Sequence, residues 1–132
     1  MSEQPVVTIL PILGETLASV EQDKKERITF TTDRGAVYVM YHSQDCCELV
    51  EIEDINGDLN DLVGSPLTLA EEVSNPDETA EMQVKAREDG DESHTWTFYR
   101  LATTKGTVVI RWFGSSNGYY SESVDFAKIS GE

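Results

Sequence analysis

The stretch "HSQDCCELVEIED" (His42–Asp54) packs a histidine, two adjacent cysteines and five acids into thirteen residues. Zinc takes imidazole nitrogen and thiolate sulfur in a tetrahedron, so His42, Cys46 and Cys47, with His94 as a fourth, form a candidate metal set. Adjacent cysteines in a strand point to opposite faces, however, and the chain has no Cys-x-x-Cys pair. A nucleophilic site would use Cys46 or Cys47 to attack, His42 as base, and Asp45 or Glu48 to orient it. The surrounding negative charge opposes thiolate formation and weakens that reading. A plainer account is preferred: a strand entry whose acids face outwards and whose thiols are structural, with no cofactor required.

Two further groups could do chemistry. In "DINGDLND", Asp54, Asn56, Asp58 and Asn60 alternate as calcium ligands do, but an EF-hand loop needs glycine sixth and glutamate twelfth. Here Gly57 is fourth and Ser65 twelfth, so a turn followed by a helix cap accounts for the same residues. The segments "TWTFYR" and "RWFGSSNGYYSE" combine Trp96, Tyr99, Arg100, Arg111, Asn117, Tyr119 and Tyr120. These π faces, amides and guanidiniums suit a flat anionic ligand such as a small nucleotide. The bland alternative is that half the aromatics face a core and the arginines pair with carboxylates.

The elements that must position these residues read as β. "VVTIL", "ETLASVEQ", "RITFTT", "AVYVMYH", "CELVEIEDI" and "SPLTLAEEVS" are strand candidates in the first half, and Gly35 in "DRG" supplies a hairpin turn. Ile28 and Phe30, then Val37, Val39 and Tyr41, are expected to give each hairpin arm its apolar face. "DLNDLVG" has the spacing of a two-turn helix capped by Asp58 and ended by Gly64. "MQVKARE", "SHTWTFYRLAT", "TVVIRWFG" and "YYSESVDFAKI" are strand candidates in the second half. The expectation is a mainly β domain, α+β at most: a single antiparallel curled sheet, barrel or sandwich of about seven strands with one short helix.

Length and charge narrow the function classes. A chain of 132 residues fits one domain, 1–132, that buries about two-thirds of its unfolded surface. Its 39% hydrophobic and 27% charged content is globular, but the net charge of −15 is extreme. Residues 45–92 hold sixteen acids against Lys85 and Arg87, whereas the rest of the chain has nine acids and eight bases. Nucleic acid is therefore a poor ligand for the central third, and a protein surface that grips phosphates is a natural one. No signal peptide opens the chain and no apolar run approaches the ~18 residues of a membrane span. With Cys46 and Cys47 as its only cysteines, a structural disulfide is not expected, and the reading is a soluble protein of a reducing cytoplasm.

The segments "GETLASV", "MYHSQDCCELVEIEDINGDLNDLVGSPLTLAEEVS" and "TWTFYRLATTKGTVVIRWFGSSNGYYSESVDF" together resemble a family of small proteins of unknown function found mainly in bacteriophage genomes. The likeness covers residues 12–126 and rests on His42-x-Gln44-Asp45-Cys46-Cys47-Glu48, on Trp96 to Tyr99, and on Ser116 to Glu122. It implies a phage source, hence a host cytoplasm, and no assigned reaction. Joined to the charge, it gives the expectation of a non-enzymatic counter-defence inhibitor, of the anti-CRISPR kind, that mimics nucleic acid. Asp45, Glu48, Glu51, Glu53, Asp54, Asp58 and Asp61 would face a basic host protein. The alternatives are a sponge for a small nucleotide signal, built on Trp96, Tyr99, Arg111, Asn117 and Tyr119, and a cysteine or metal-dependent enzyme.

Overall fold

The computed structural model describes residues 6–44, 47–74, 93–117 and 121–130. Nine strands run in chain order: β1 (Val6–Ile9), β2 (Leu17–Asp23), β3 (Arg27–Thr32), β4 (Val37–Tyr41), β5 (Leu49–Asn56), β6 (Leu69–Ser74), β7 (Ser93–Thr103), β8 (Gly106–Ser116) and β9 (Asp125–Ser130). They form two antiparallel sheets, ordered β1-β6-β7-β8-β5 and β2-β3-β4-β9, and are not closed into a barrel. The fold is thus a two-layer β-sandwich. Ile28, Phe30 and Met40 of the smaller sheet meet Val50, Leu101, Ile110 and Trp112 of the larger in one core. The Trp112 indole N–H reaches the Met40 sulfur at 3.2 Å and ties the layers together. No helix among the described residues is long and apolar enough to cross a membrane.

Several elements depart from the sequence reading. "DLNDLVG" forms a single 3-10 turn, η1 (Leu59–Leu62), rather than two α-helical turns. Asp58 does cap it, accepting from the Asn60 amide at 2.9 Å, but Val63 is already extended and its amide closes on the Asn60 carbonyl. The hairpin turn at Gly35 has the expected positive φ of 89°. Its second arm faces the other way: Ile28 pairs with Met40 and Phe30 with Tyr38, so Val37, Val39 and Tyr41 point away from the core. Only the cross-strand register, which the alternation within β4 does not contain, decides between those two faces. β9 begins at Asp125, leaving Ser121–Val124 without regular structure, and the strand expected in "MQVKARE" lies outside the described residues.

β5 shows how the sequence shapes an edge. Its apolar spacing changes from two at Val50–Ile52 to three at Ile52–Ile55, and the ladder with β8 shifts between Ile52 and Asp54. Strict alternation would turn Asp54 into the core and Ile55 out of it. The extra residue of this β-bulge keeps Asp54 outside, opposite Arg111, and returns Ile55 to face Ile110.

Candidate functional site

The described parts of the His42–Glu48 and Ser116–Glu122 segments meet at one end of the sandwich. His42 leaves β4, Glu48 enters β5, and Ser121–Ser123 lead into β9, so three chain segments deliver their polar groups there. The His42 and Glu48 side chains are only 4% and 0% exposed, with Nε2 2.7 Å from Oε2. On the far side of the ring, Nδ1 lies 2.7 Å from the Ser123 carbonyl. A carbonyl only accepts, so Nδ1 carries a hydrogen and the imidazole and carboxylate share one more proton between them. Gln44 locks the start of β5 by donating to the Glu48 carbonyl at 2.7 Å.

A second buried carboxylate sits close by. Glu122 is 8% exposed and receives the Thr95 hydroxyl on Oε1 at 2.8 Å and the Ser116 hydroxyl on Oε2. The segment carrying it rests on Gly114, where a Cβ would come within 2.8 Å of the Glu122 carbonyl oxygen. Glu48 precedes Leu49, whose ladder partner Ser115 adjoins Ser116, so the two buried acids lie at the same end of the larger sheet.

This arrangement fixes what the candidate chemistry can use. Both nitrogens of His42 are engaged, which leaves no lone pair to take a proton from a thiol or to bind zinc. Cys47 is disulfide-bonded, and the chain contains one other cysteine, Cys46. The disulfide on Cys47, which lies in a bend before β5, corrects the expectation that no structural disulfide forms. His94 is on the outer face of the larger sheet, its ring 6.3 Å from Trp96 and 5.8 Å from Phe113, and does not join His42. Among the described residues no group of three His, Cys, Asp or Glu side chains is placed to hold a metal ion. Concavities of about 350 and 400 Å³ flank His42 and share Glu26; the first also takes in Arg27, Tyr41 and Ile129, the second Gln44, Leu49 and Glu51.

The flat-ligand set is divided between two faces. Trp96 and Arg111 lie on the outer face, both tied to Glu53: Trp96 donates at 3.3 Å and the Arg111 guanidinium pairs at 2.7 Å. Tyr99 points inwards, fully buried, with its hydroxyl donating to Glu72 at 2.6 Å. Burial first, then the hydrogen bond and charge of Glu72, push the Tyr99 hydroxyl far above the ordinary tyrosine range. Asn117 is exposed just beyond β8, while Tyr119 and Tyr120 lie outside the described residues.

The expected acidic surface is also sorted. Asp45 and Cys46 are outside the described residues. Glu48 is buried against His42 and presents no charge, because it shares the even-numbered, core-facing side of β5 with Val50 and Ile52. Glu53 is taken by Arg111. Glu51, Asp54, Asp58 and Asp61 follow one another along β5 and η1, partly or fully exposed, with no ion pair among the described residues.

A family model described as a domain of unknown function, DUF7448, matches residues 10–126. The chain belongs to that family. The matched DUF7448 span takes in both sheets except the first strand and the end of the last, and it includes the whole His42, Glu48 and Glu122 cluster. No curated protein and no solved structure matches the chain.

Proposed function

We propose that this protein is a non-catalytic binding protein that docks the carboxylates of β5 and η1 onto a basic, nucleic-acid-gripping surface of a partner protein. A phage-encoded counter-defence inhibitor is the biological form of that reading. The observation that carries it is the segregation of charge between the two layers. In the smaller sheet and its turns, Glu21, Asp23, Glu26, Asp33 and Asp125 are matched one for one by Lys24, Lys25, Arg27, Arg34 and Lys128. In the larger sheet with η1, Glu51, Glu53, Asp54, Asp58, Asp61, Glu71 and Glu72 are set, among the described residues, against Arg100, Lys105 and Arg111. Among the described residues one layer is neutral and the other anionic, which favours approach of a cationic surface to the β5 edge.

Capture of partners from host lysate by the immobilised protein, across a salt series and in competition with duplex DNA, tests the proposal. The variant Glu51→Gln/Asp54→Asn/Asp61→Asn keeps Asp58, whose side chain caps η1. Loss of affinity on the order of tenfold or more in this variant, a steep fall with salt, and release by DNA are expected. Affinity that is flat across the salt series, or a variant that binds as well as the wild type, overturns it.

A further inference from the structure

Each sheet has two edge strands, and edge strands are normally blunted by charge, bulges or covering segments. β2 carries Glu21 and Asp23 and a register shift between Leu17 and Ser19. β9 carries Asp125 and Lys128, with a shift in its pairing to β4. β5 carries its acids and its bulge, and the Lys25 carbonyl covers its Ile52 amide at 2.8 Å. Among the described residues β1 alone has none of these. Its ladder to β6 is regular, and it lies within Gln4–Gly14, eleven consecutive residues without a charge.

The hydrogen-bond phase of β1 shows which groups are offered. Leu10 donates its amide to the Ala70 carbonyl at 2.9 Å, and Thr8 lies opposite Glu72 in the same phase. In an antiparallel ladder alternate residues bond to opposite sides, so the N–H and C=O groups of Val7 and Ile9 point away from β6. Among the described residues no strand pairs with them. The two residues are 54% and 59% exposed.

We infer that β1 pairs with β1 of a second copy of this chain, antiparallel about a twofold axis at Thr8. That register sets Val7 opposite Ile9 of the partner copy and the reverse, and each pair exchanges two backbone hydrogen bonds. Four apolar side chains then cluster on the outer face, and the two larger sheets fuse into one of ten strands. A second copy is the occupant because the edge is self-complementary and β1 itself is uncharged, the nearest carboxylates being those of Glu71, paired with Arg100, and Glu72, which accepts from Tyr99, on β6. The charge argument points the same way, since β1 and β5 are opposite edges of their sheet. In the dimer the two anionic β5 strands stand nine strand spacings apart, about 43 Å, against a screening length of about 8 Å in physiological salt. So short a contact falls in the class of weak interfaces below about 1,200 Å² and gives a concentration-dependent dimer.

Sedimentation velocity of the full chain from micromolar to millimolar concentration tests this, with amide hydrogen exchange beside it. The mass is expected to climb towards twice the monomer, and to do so at lower concentration as salt rises, the reverse of the salt effect expected for a basic partner. Val7→Pro and Ile9→Pro each remove an amide that bonds no described residue of the monomer, so both stay folded and monomeric. Ile9→Lys leaves the backbone donors intact and weakens the dimer at least tenfold, while Ile129→Lys on β9 leaves it unchanged. The Val7 and Ile9 amides exchange at least tenfold more slowly in the dimer, whereas Thr8 is protected in both states. A chain monomeric at millimolar concentration, a dimer that survives both proline variants, or one that salt dissociates would each overturn the inference.

Discussion

Removing one partner of the His42 and Glu48 pair tests the buried cluster most directly. The two side chains are 4% and 0% exposed, so His42→Ala or Glu48→Ala leaves the other group buried without its partner. Breaking a buried pair in this way costs about 3–5 kcal/mol, a large share of the 5–15 kcal/mol that holds a typical domain folded. The double variant leaves no uncompensated group and should cost less than the sum of the singles by about 1–3 kcal/mol. Glu48→Gln keeps the shape and one hydrogen bond to the ring, and should cost the least. Urea unfolding at neutral pH, followed by circular dichroism with constant slope, gives all four values. Asp54→Ala, at an exposed position, is the reference and should stay within about 0.5 kcal/mol of wild type. Single variants each costing under about 1 kcal/mol, or a double variant equal to their sum, would refute the reasoning and return Glu48 to the surface charge.

The raised Tyr99 hydroxyl makes a signed pH prediction. Below pH 10 the phenol is protonated folded or unfolded, so it adds no pH dependence; above pH 10 only the unfolded chain ionises, and stability should fall by up to about 1.4 kcal/mol per pH unit. Melting curves of Tyr99→Phe between pH 9 and 11 should lack that component, at a cost near neutral pH of about 1 kcal/mol for the lost bond to Glu72. Gly57 has φ of 119°, and a Cβ there would lie 2.6 Å from the Thr107 carbonyl oxygen. Gly57→Ala should therefore cost about 3 kcal/mol or more, against about 1 kcal/mol for Gly35→Ala, where φ is 89° but the space is open. Equal losses in urea unfolding would show that the contact with β8 carries no weight.

Local chemistry made much of this fold legible. The turn at Gly35, the cap at Asp58 and the strand Ser93–Thr103 all follow from residue type and alternation. The inward side of β4 did not, because Ile28↔Met40 pairing is a fact about two strands and the apolar residues of β4 occupy both of its faces. Glu48 was readable but missed: it shares parity with Val50 and Ile52, which places it on the core side of any strand through them. Its distance of six residues from His42 carried no signal, since the pair is closed by a bend and by the Ser123 carbonyl from the far end of the chain. The split of Tyr99 from Trp96 is by contrast local, since residues three apart on one strand face opposite ways, and only the side taken by Arg111 depends on the pairing to β8.

The bulge in β5 has an evolutionary reading. Losing either Glu53 or Asp54 would heal it, leaving Val50, Ile52 and the residue now at Ile55 in unbroken alternation with the core intact. Strand length and surface charge are coupled at that one position. A lineage could shorten the chain by a codon there, shed a carboxylate and keep its hydrophobic layer in frame, so insertions and deletions among relatives should gather at this point of the edge rather than elsewhere along the strand.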